Sequence, residues 1–90
     1  MTLLREDKTK KTDYTYLALT KGATDRLCRR FMHGEEKYAR ANWRECKDNQ
    51  TYKESAIRHL IQYMGGQTDE DHLAAATCNL FILMDLEDER

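Results

Sequence analysis

The segment from Asp69 to Leu86 constrains the fold more than any other part of this 90-residue chain. It predicts one helix, opened by a capping pattern over Thr68 to Asp71. Its apolar residues fall on nearly every side, at Leu73, Ala74, Ala75, Ala76, Cys78, Leu80, Phe81, Ile82, Leu83 and Met84. Such a helix belongs in a core or an oligomer interface. Because so short a chain buries only about 60–65% of its unfolded surface, we predict a homo-oligomer whose interface uses this helix.

A second helix is predicted immediately before it. Thr51 and Glu54 have the spacing of a capping box, and Gly65-Gly66 can end the helix. Four apolar residues recur at helical spacing, Ile57, Leu60, Ile61 and Met64. We expect this apolar face to be buried. The short glycine link predicts that the two helices form an antiparallel hairpin.

The rest of the chain gives weaker signals. Residues 1–16 show no helical period and predict an extended arm, so the predicted organisation is an arm (1–16) and a single helical domain (17–90). A helix is expected from near Thr24 to Gly34, with its apolar face at Leu27, Cys28, Phe31 and Met32. A short helix is expected over 35–41, followed by a loop over 42–49. The absence of proline and valine, with abundant Leu, Ala, Glu, Lys and Arg, predicts an all-α fold.

Composition and charge exclude several classes of protein. Fifteen basic and 16 acidic residues give a net charge of −1, divided as +4 over residues 1–50 and −5 over residues 51–90. The acidic half makes nucleic acid an unlikely partner, and no apolar run approaches the roughly 20 residues of a membrane span. No charged-then-apolar leader opens the chain. Three cysteines without CxxC spacing predict reduced, structural thiols in a cytosolic protein.

Polar residues within the two apolar helices are the first candidates for a site. His59 lies off the apolar face of its helix, and His72 and Asn79 are two turns apart on one stripe of the last helix. Alanines between His72 and Asn79 leave room for a neighbouring helix, a base or a ribose. Alternatively, His72 and Asn79 are polar core residues whose hydrogen bonds are satisfied within the protein. In the hairpin, His59 and His72 are expected near the connected end, at similar depth.

Motifs of common enzymes are missing from the sequence. It contains no GxxxxGK[ST], HExxH or GxSxG, and no ExxE of the kind that binds magnesium in MazG-type pyrophosphatases. Glu45 to Asp48 fits ExxD but falls in the expected loop. Asp69 and Asp71 are the best-placed oxygen ligands for Mg²⁺ if the chain is an enzyme. Helix capping is the alternative role for both.

The order of short motifs is similar to that of a known phage family. These motifs are Asp7-Lys8, Thr12-Asp13-Tyr14, Gly34-Glu35-Glu36-Lys37-Tyr38, Asn42-Trp43, Ser55-Ala56-Ile57-Arg58-His59-Leu60, Gly66, Asp69 and His72-Leu73-Ala74-Ala75-Ala76. From Asp7 to Leu83 the chain resembles the small all-α phage domain named after the N-terminal domain of dATP/dGTP diphosphohydrolases. The resemblance implies a purine-nucleotide setting in the cytoplasm of an infected bacterium. Two features depart from the family pattern, a shorter loop after Gly66 and an alanine, Ala75, at the second histidine of the last helix.

The resemblance also implies candidate binding residues. Those at matching positions are Lys37, Tyr38, Asn42, Trp43, Arg58, His59, Asp69 and His72, and the stripe on the last helix adds Asn79. Trp43 or Tyr38 offers a ring on which a base can stack. Lys37 and Arg58 can pair with phosphate oxygens, and the histidines can donate hydrogen bonds or move protons near neutral pH. An alternative role for Trp43 is to fill a small core.

Three functions are consistent with these features. The favoured one is a non-catalytic protein that sequesters a phosphorylated purine compound, such as a nucleotide or cyclic-nucleotide signal of host anti-phage defence. The second is a Mg²⁺-dependent purine (deoxy)nucleoside triphosphate pyrophosphohydrolase. The third is a helical adaptor that inhibits a host protein. No cofactor is expected except Mg²⁺ in the enzyme.

Overall fold

The computed structural model of the chain describes residues 9–35, 40, 42–45 and 49–88. Its helices are α1 (Thr15–Leu19), α2 (Lys21–Glu35), α3 (Gln50–Met64) and α4 (His72–Asp88), with a 3-10 turn at Asn42–Glu45. The described residues contain no strand, so the predicted all-α fold is confirmed. None of the described helices is both long and apolar enough to cross a membrane.

The C-terminal hairpin organises the molecule. Both α3 and α2 pack against α4, so α4 is the central helix. Its buried residues are His72, Ala74, Ala75, Ala76, Cys78, Ile82 and Leu86. A core or an oligomer interface was predicted for this helix. Its own chain buries part of its surface, and the oligomer interface stays a prediction.

The predicted buried face of α3 is wrong. Ile57, Ile61 and Met64 are 60%, 63% and 76% exposed, whereas the buried residues of α3 are Ala56 and His59. Since residues advance by about 100° on a helix, His59 lies on the side opposite Ile57 and Met64. Small and hydrogen-bonding side chains therefore face α4, and the apolar side chains face outward.

The helix starts also differ from the predicted ones. The predicted capping box at Thr51 is wrong, because α3 begins at Gln50, its N-cap residue is Asn49, and Thr51 lies within the first turn. The Glu54 carboxylate instead accepts a hydrogen bond from the Gln50 amide at 3.3 Å. Similarly, α4 begins at His72 rather than Asp69, and Asp71 Oδ1 accepts the Ala74 backbone N–H at 3.1 Å. Asp71 is thus the cap of α4.

The N-terminal half shows smaller differences. α2 begins at Lys21, one turn before the expected Thr24, because the Thr24 N–H donates to the Thr20 carbonyl at 2.8 Å. α1 begins at Thr15, near the expected end of the arm. The expected short helix over 35–41 falls mostly outside the described residues. The division into arm and domain remains a prediction.

Candidate functional site

A cavity of about 770 Å³ lies where α2, the 3-10 turn, α3 and α4 meet. This volume is within the range of small-molecule sites. The side chains that decide its chemistry are Arg30, Phe31, Arg40, Trp43, Arg58 and His59. The wall thus combines aromatic rings with guanidinium groups, a combination that suits a flat, anionic ligand.

Trp43 is held on this wall by two contacts. Its ring lies 5.3 Å from that of Phe31 between centroids, at 41° between planes. Its indole N–H donates to Asp85 Oδ2 at 3.1 Å. Half-buried Trp43 therefore has the packing role that was the alternative in the sequence, and these contacts also hold its ring at the cavity.

The three arginines of the cavity differ in their partners. Arg30 pairs with Glu70 at 2.8 Å and Arg40 with Glu35 at 3.5 Å. Arg58 is exposed and donates to Ser55 Oγ at 3.3 Å, with no carboxylate of the described residues as an ion-pair partner. Arg58 is therefore the cavity arginine best able to pair with a phosphate.

His59 and His72 meet between α3 and α4. Their Nδ1 atoms are 2.9 Å apart, and His59 and His72 are only 9% and 2% exposed. The expected proximity of these two side chains is confirmed. Burial lowers the pKa of His59, an effect that Glu70 opposes and that Arg30 and Arg58 reinforce.

The Asp69 carboxylate decides which nitrogens carry protons. Its Oδ1 lies 2.7 Å from His72 Nε2, and this hydrogen bond lowers the pKa of Asp69. An ionised carboxylate only accepts, so His72 Nε2 donates. In a neutral pair, His72 Nδ1 then accepts from His59 Nδ1, which leaves His59 Nε2 as an acceptor.

Asp71 has different partners from Asp69. Arg26 donates two hydrogen bonds to its carboxylate, at 2.7 and 3.0 Å, and this pairing lowers the pKa of Asp71. Together with its capping bond, these contacts give Asp71 a structural role. A magnesium role for Asp69 and Asp71 remains a prediction.

Asn79 connects the hairpin helices. Its amide nitrogen donates to Ser55 Oγ at 3.1 Å and to the Ala75 carbonyl at 2.9 Å. Both amide hydrogens are used in this way, so Asn79 can offer a ligand only its carbonyl oxygen.

The structure brings together most of the predicted binding residues. Asn42, Trp43, Arg58, His59 and Asn79 line the cavity, and His72 reaches it through His59. Lys37 and Tyr38 lie outside the described residues. The additional wall residues that the sequence did not indicate include Arg30, Phe31, Arg40 and Tyr52. They come from three separate stretches of the chain, and no local spacing marks them as members of one site.

Comparison with known families identifies the family of the chain. Residues 3–90 match the family described as dATP/dGTP diphosphohydrolase, N-terminal. The chain belongs to this family. The resemblance seen in the sequence is therefore confirmed, and it supports a nucleotide-related function. Neither the curated proteins nor the solved structures contain a match.

Proposed function

We propose that this chain binds a phosphorylated purine compound in the cavity and sequesters it without hydrolysis. The observation that carries the proposal is that Arg58, which has no carboxylate partner among the described residues, lies on the same cavity wall as Trp43 and Phe31. An arginine that is not neutralised can pair with a phosphate in a bidentate manner. The family description supports a purine nucleotide as the ligand class.

The balance of charge in the cavity favours binding over turnover. Its described carboxylates include Glu35, which pairs with Arg40, and Glu54, which accepts from Gln50. Among the described residues, the cavity wall carries three arginines against these two carboxylates. A net positive wall suits the binding of phosphate, whereas magnesium-dependent hydrolysis needs several oxygen ligands around the metal. We further propose that the protein acts in the cytoplasm of an infected bacterium, where a phage gains by removing a nucleotide or cyclic-nucleotide signal of host defence.

Calorimetry of Arg58→Ala tests the binding site. With a panel of linear and cyclic adenine and guanine nucleotides, we expect affinity to fall by about 1.5–3 kcal/mol because one charged hydrogen-bonding partner is lost. Arg29→Ala is the matched control, since Arg29 is an exposed arginine of α2 outside the cavity wall, and its affinity should equal that of wild type. Equal affinity of Arg58→Ala and wild type would reject the site. No binding of any nucleotide would favour the adaptor.

Hydrolysis is the second candidate, favoured by the family description. It is distinguished by incubating the protein with a nucleotide and analysing the mixture by chromatography before and after heat denaturation. A sequestering protein returns the intact nucleotide on denaturation, whereas a pyrophosphohydrolase returns a monophosphate. An enzyme should also require Mg²⁺ and lose turnover in Asp69→Asn, because Asp69 is its most available oxygen ligand.

A further inference from the structure

A third side chain of a type that can bind metals, Glu70, lies beside the buried pair of His59 and His72. One ligand atom from each of His59, Glu70 and His72 lies within 4.8 Å of the other two. We propose that these three side chains bind one Zn²⁺ ion, or a similar transition metal, between α3 and the start of α4. This inference does not depend on nucleotide binding.

The chemistry of the ligands selects the class of metal. Two imidazole nitrogens and one carboxylate suit zinc and its transition-metal neighbours, whereas Mg²⁺ and Ca²⁺ prefer oxygen ligands alone. Three protein ligands leave a further position for water or a bound group, as in many zinc enzymes. The site is distinct from a magnesium site at Asp69 and Asp71.

Asp69 already holds His72 in the orientation that a metal needs. Its carboxylate accepts from His72 Nε2 at 2.7 Å, so that Nδ1 of the same ring presents a lone pair toward His59. Metal-binding histidines usually donate their other N–H to a carboxylate or carbonyl in this way. Asp69 is therefore a positioning residue for the metal.

The geometry requires only a small adjustment. A metal would take the place of the proton between the two Nδ1 atoms, now 2.9 Å apart, and this proton would move to His59 Nε2, so that both rings stay neutral. Tetrahedral zinc with bonds of about 2.1 Å would separate them to about 3.4 Å. Glu70 lies in the link between α3 and α4, and Arg30 contacts its Oε1, so its other oxygen can turn to the metal.

Titration of the metal-free full chain with zinc chloride, in the absence of nucleotide, tests this site. Calorimetry should give one zinc per chain, and thermal unfolding should shift upward because the metal binds the folded hairpin. His59→Gln and Glu70→Gln should each weaken zinc binding by at least about tenfold. His33→Gln, at an exposed histidine of α2, should bind zinc like the wild type.

Cobalt distinguishes this site from one formed by the cysteines. Co²⁺ bound by nitrogen and oxygen gives visible bands without a thiolate charge-transfer band in the near ultraviolet. Glu70→Gln is the more decisive variant, because Glu70 is exposed and its substitution should leave the helical circular dichroism unchanged. Zinc affinity that is unchanged in both His59→Gln and Glu70→Gln, a thiolate band, or no saturable zinc binding by the wild type would overturn the proposal.

Discussion

Two cysteines show how strongly surroundings decide the chemistry of one side chain. Cys78 is buried beneath α2 and its thiol donates to the Leu27 carbonyl at 3.6 Å, whereas Cys28 is exposed. Burial raises the pKa of the Cys78 thiol to about 11. Because the thiolate is the reactive form, we expect iodoacetamide at pH 8 to label Cys28 and spare Cys78 in the folded protein. Peptide mass spectrometry measures this, with urea-unfolded protein as control. Equal labelling of both in the folded state would contradict the packing of α2 on α4.

For individual residues, the sequence predicted contacts between neighbours in the hairpin. The His59–His72 contact could be predicted because a short glycine link fixes the register of two adjacent helices. Arg30 could not be assigned to the site in this way. The position of Arg30 depends on how α2 packs on α4. Its ion pair with Glu70, at 2.8 Å, joins two residues that are 40 positions apart in the sequence. Helical periodicity carries no information on such contacts.

The first turn of α4 depends on Asp71, which caps the helix and binds Arg26. Removing both interactions in Asp71→Ala should lower the free energy of unfolding by about 1–2 kcal/mol, mostly through loss of the cap. Asp25→Ala is the matched control, because the ion pair of Asp25 with Lys21 is exposed on the surface of α2 and such pairs contribute little to stability. Urea denaturation followed by circular dichroism measures both. Equal losses in the two variants would show that Asp71 is not an effective cap.

The two hairpin helices differ in how well their sequences predict their packing. α4 is apolar on nearly all sides, so its central position could be predicted without knowing which helices pack against it. α3 has one apolar face, and periodicity assigns that face to the core. The structure instead packs the side of α3 that bears Ser55, Ala56 and His59, where hydrogen bonds to His72 and Asn79 replace apolar contacts. Hydrogen bonding between specific partners is absent from a hydropathy pattern.

The molecule as a whole consequently exposes much apolar surface. On α3 the exposed residues include Ile57, Leu60, Ile61 and Met64, and on α4 they are Leu80, Phe81 and Met84. Large contiguous apolar patches on small proteins usually mark interaction sites. We therefore propose that the chain forms a homo-oligomer in which this face of α3, together with exposed residues of α4, contacts another copy.

A charge placed in the middle of that face tests the assembly. Ile61→Lys should convert the oligomer to a monomer in sedimentation or light scattering at micromolar concentration, because burying an unpaired ammonium group in an apolar interface is strongly unfavourable. The monomer should keep its helices, since Ile61 is already 63% exposed in the single chain. Leu19→Lys, on α1, provides a control at an exposed leucine outside this face and should leave the assembly intact. A wild-type chain that sediments as a monomer would contradict the oligomer. An Ile61→Lys variant that stays oligomeric would instead place the contact elsewhere than on this face of α3.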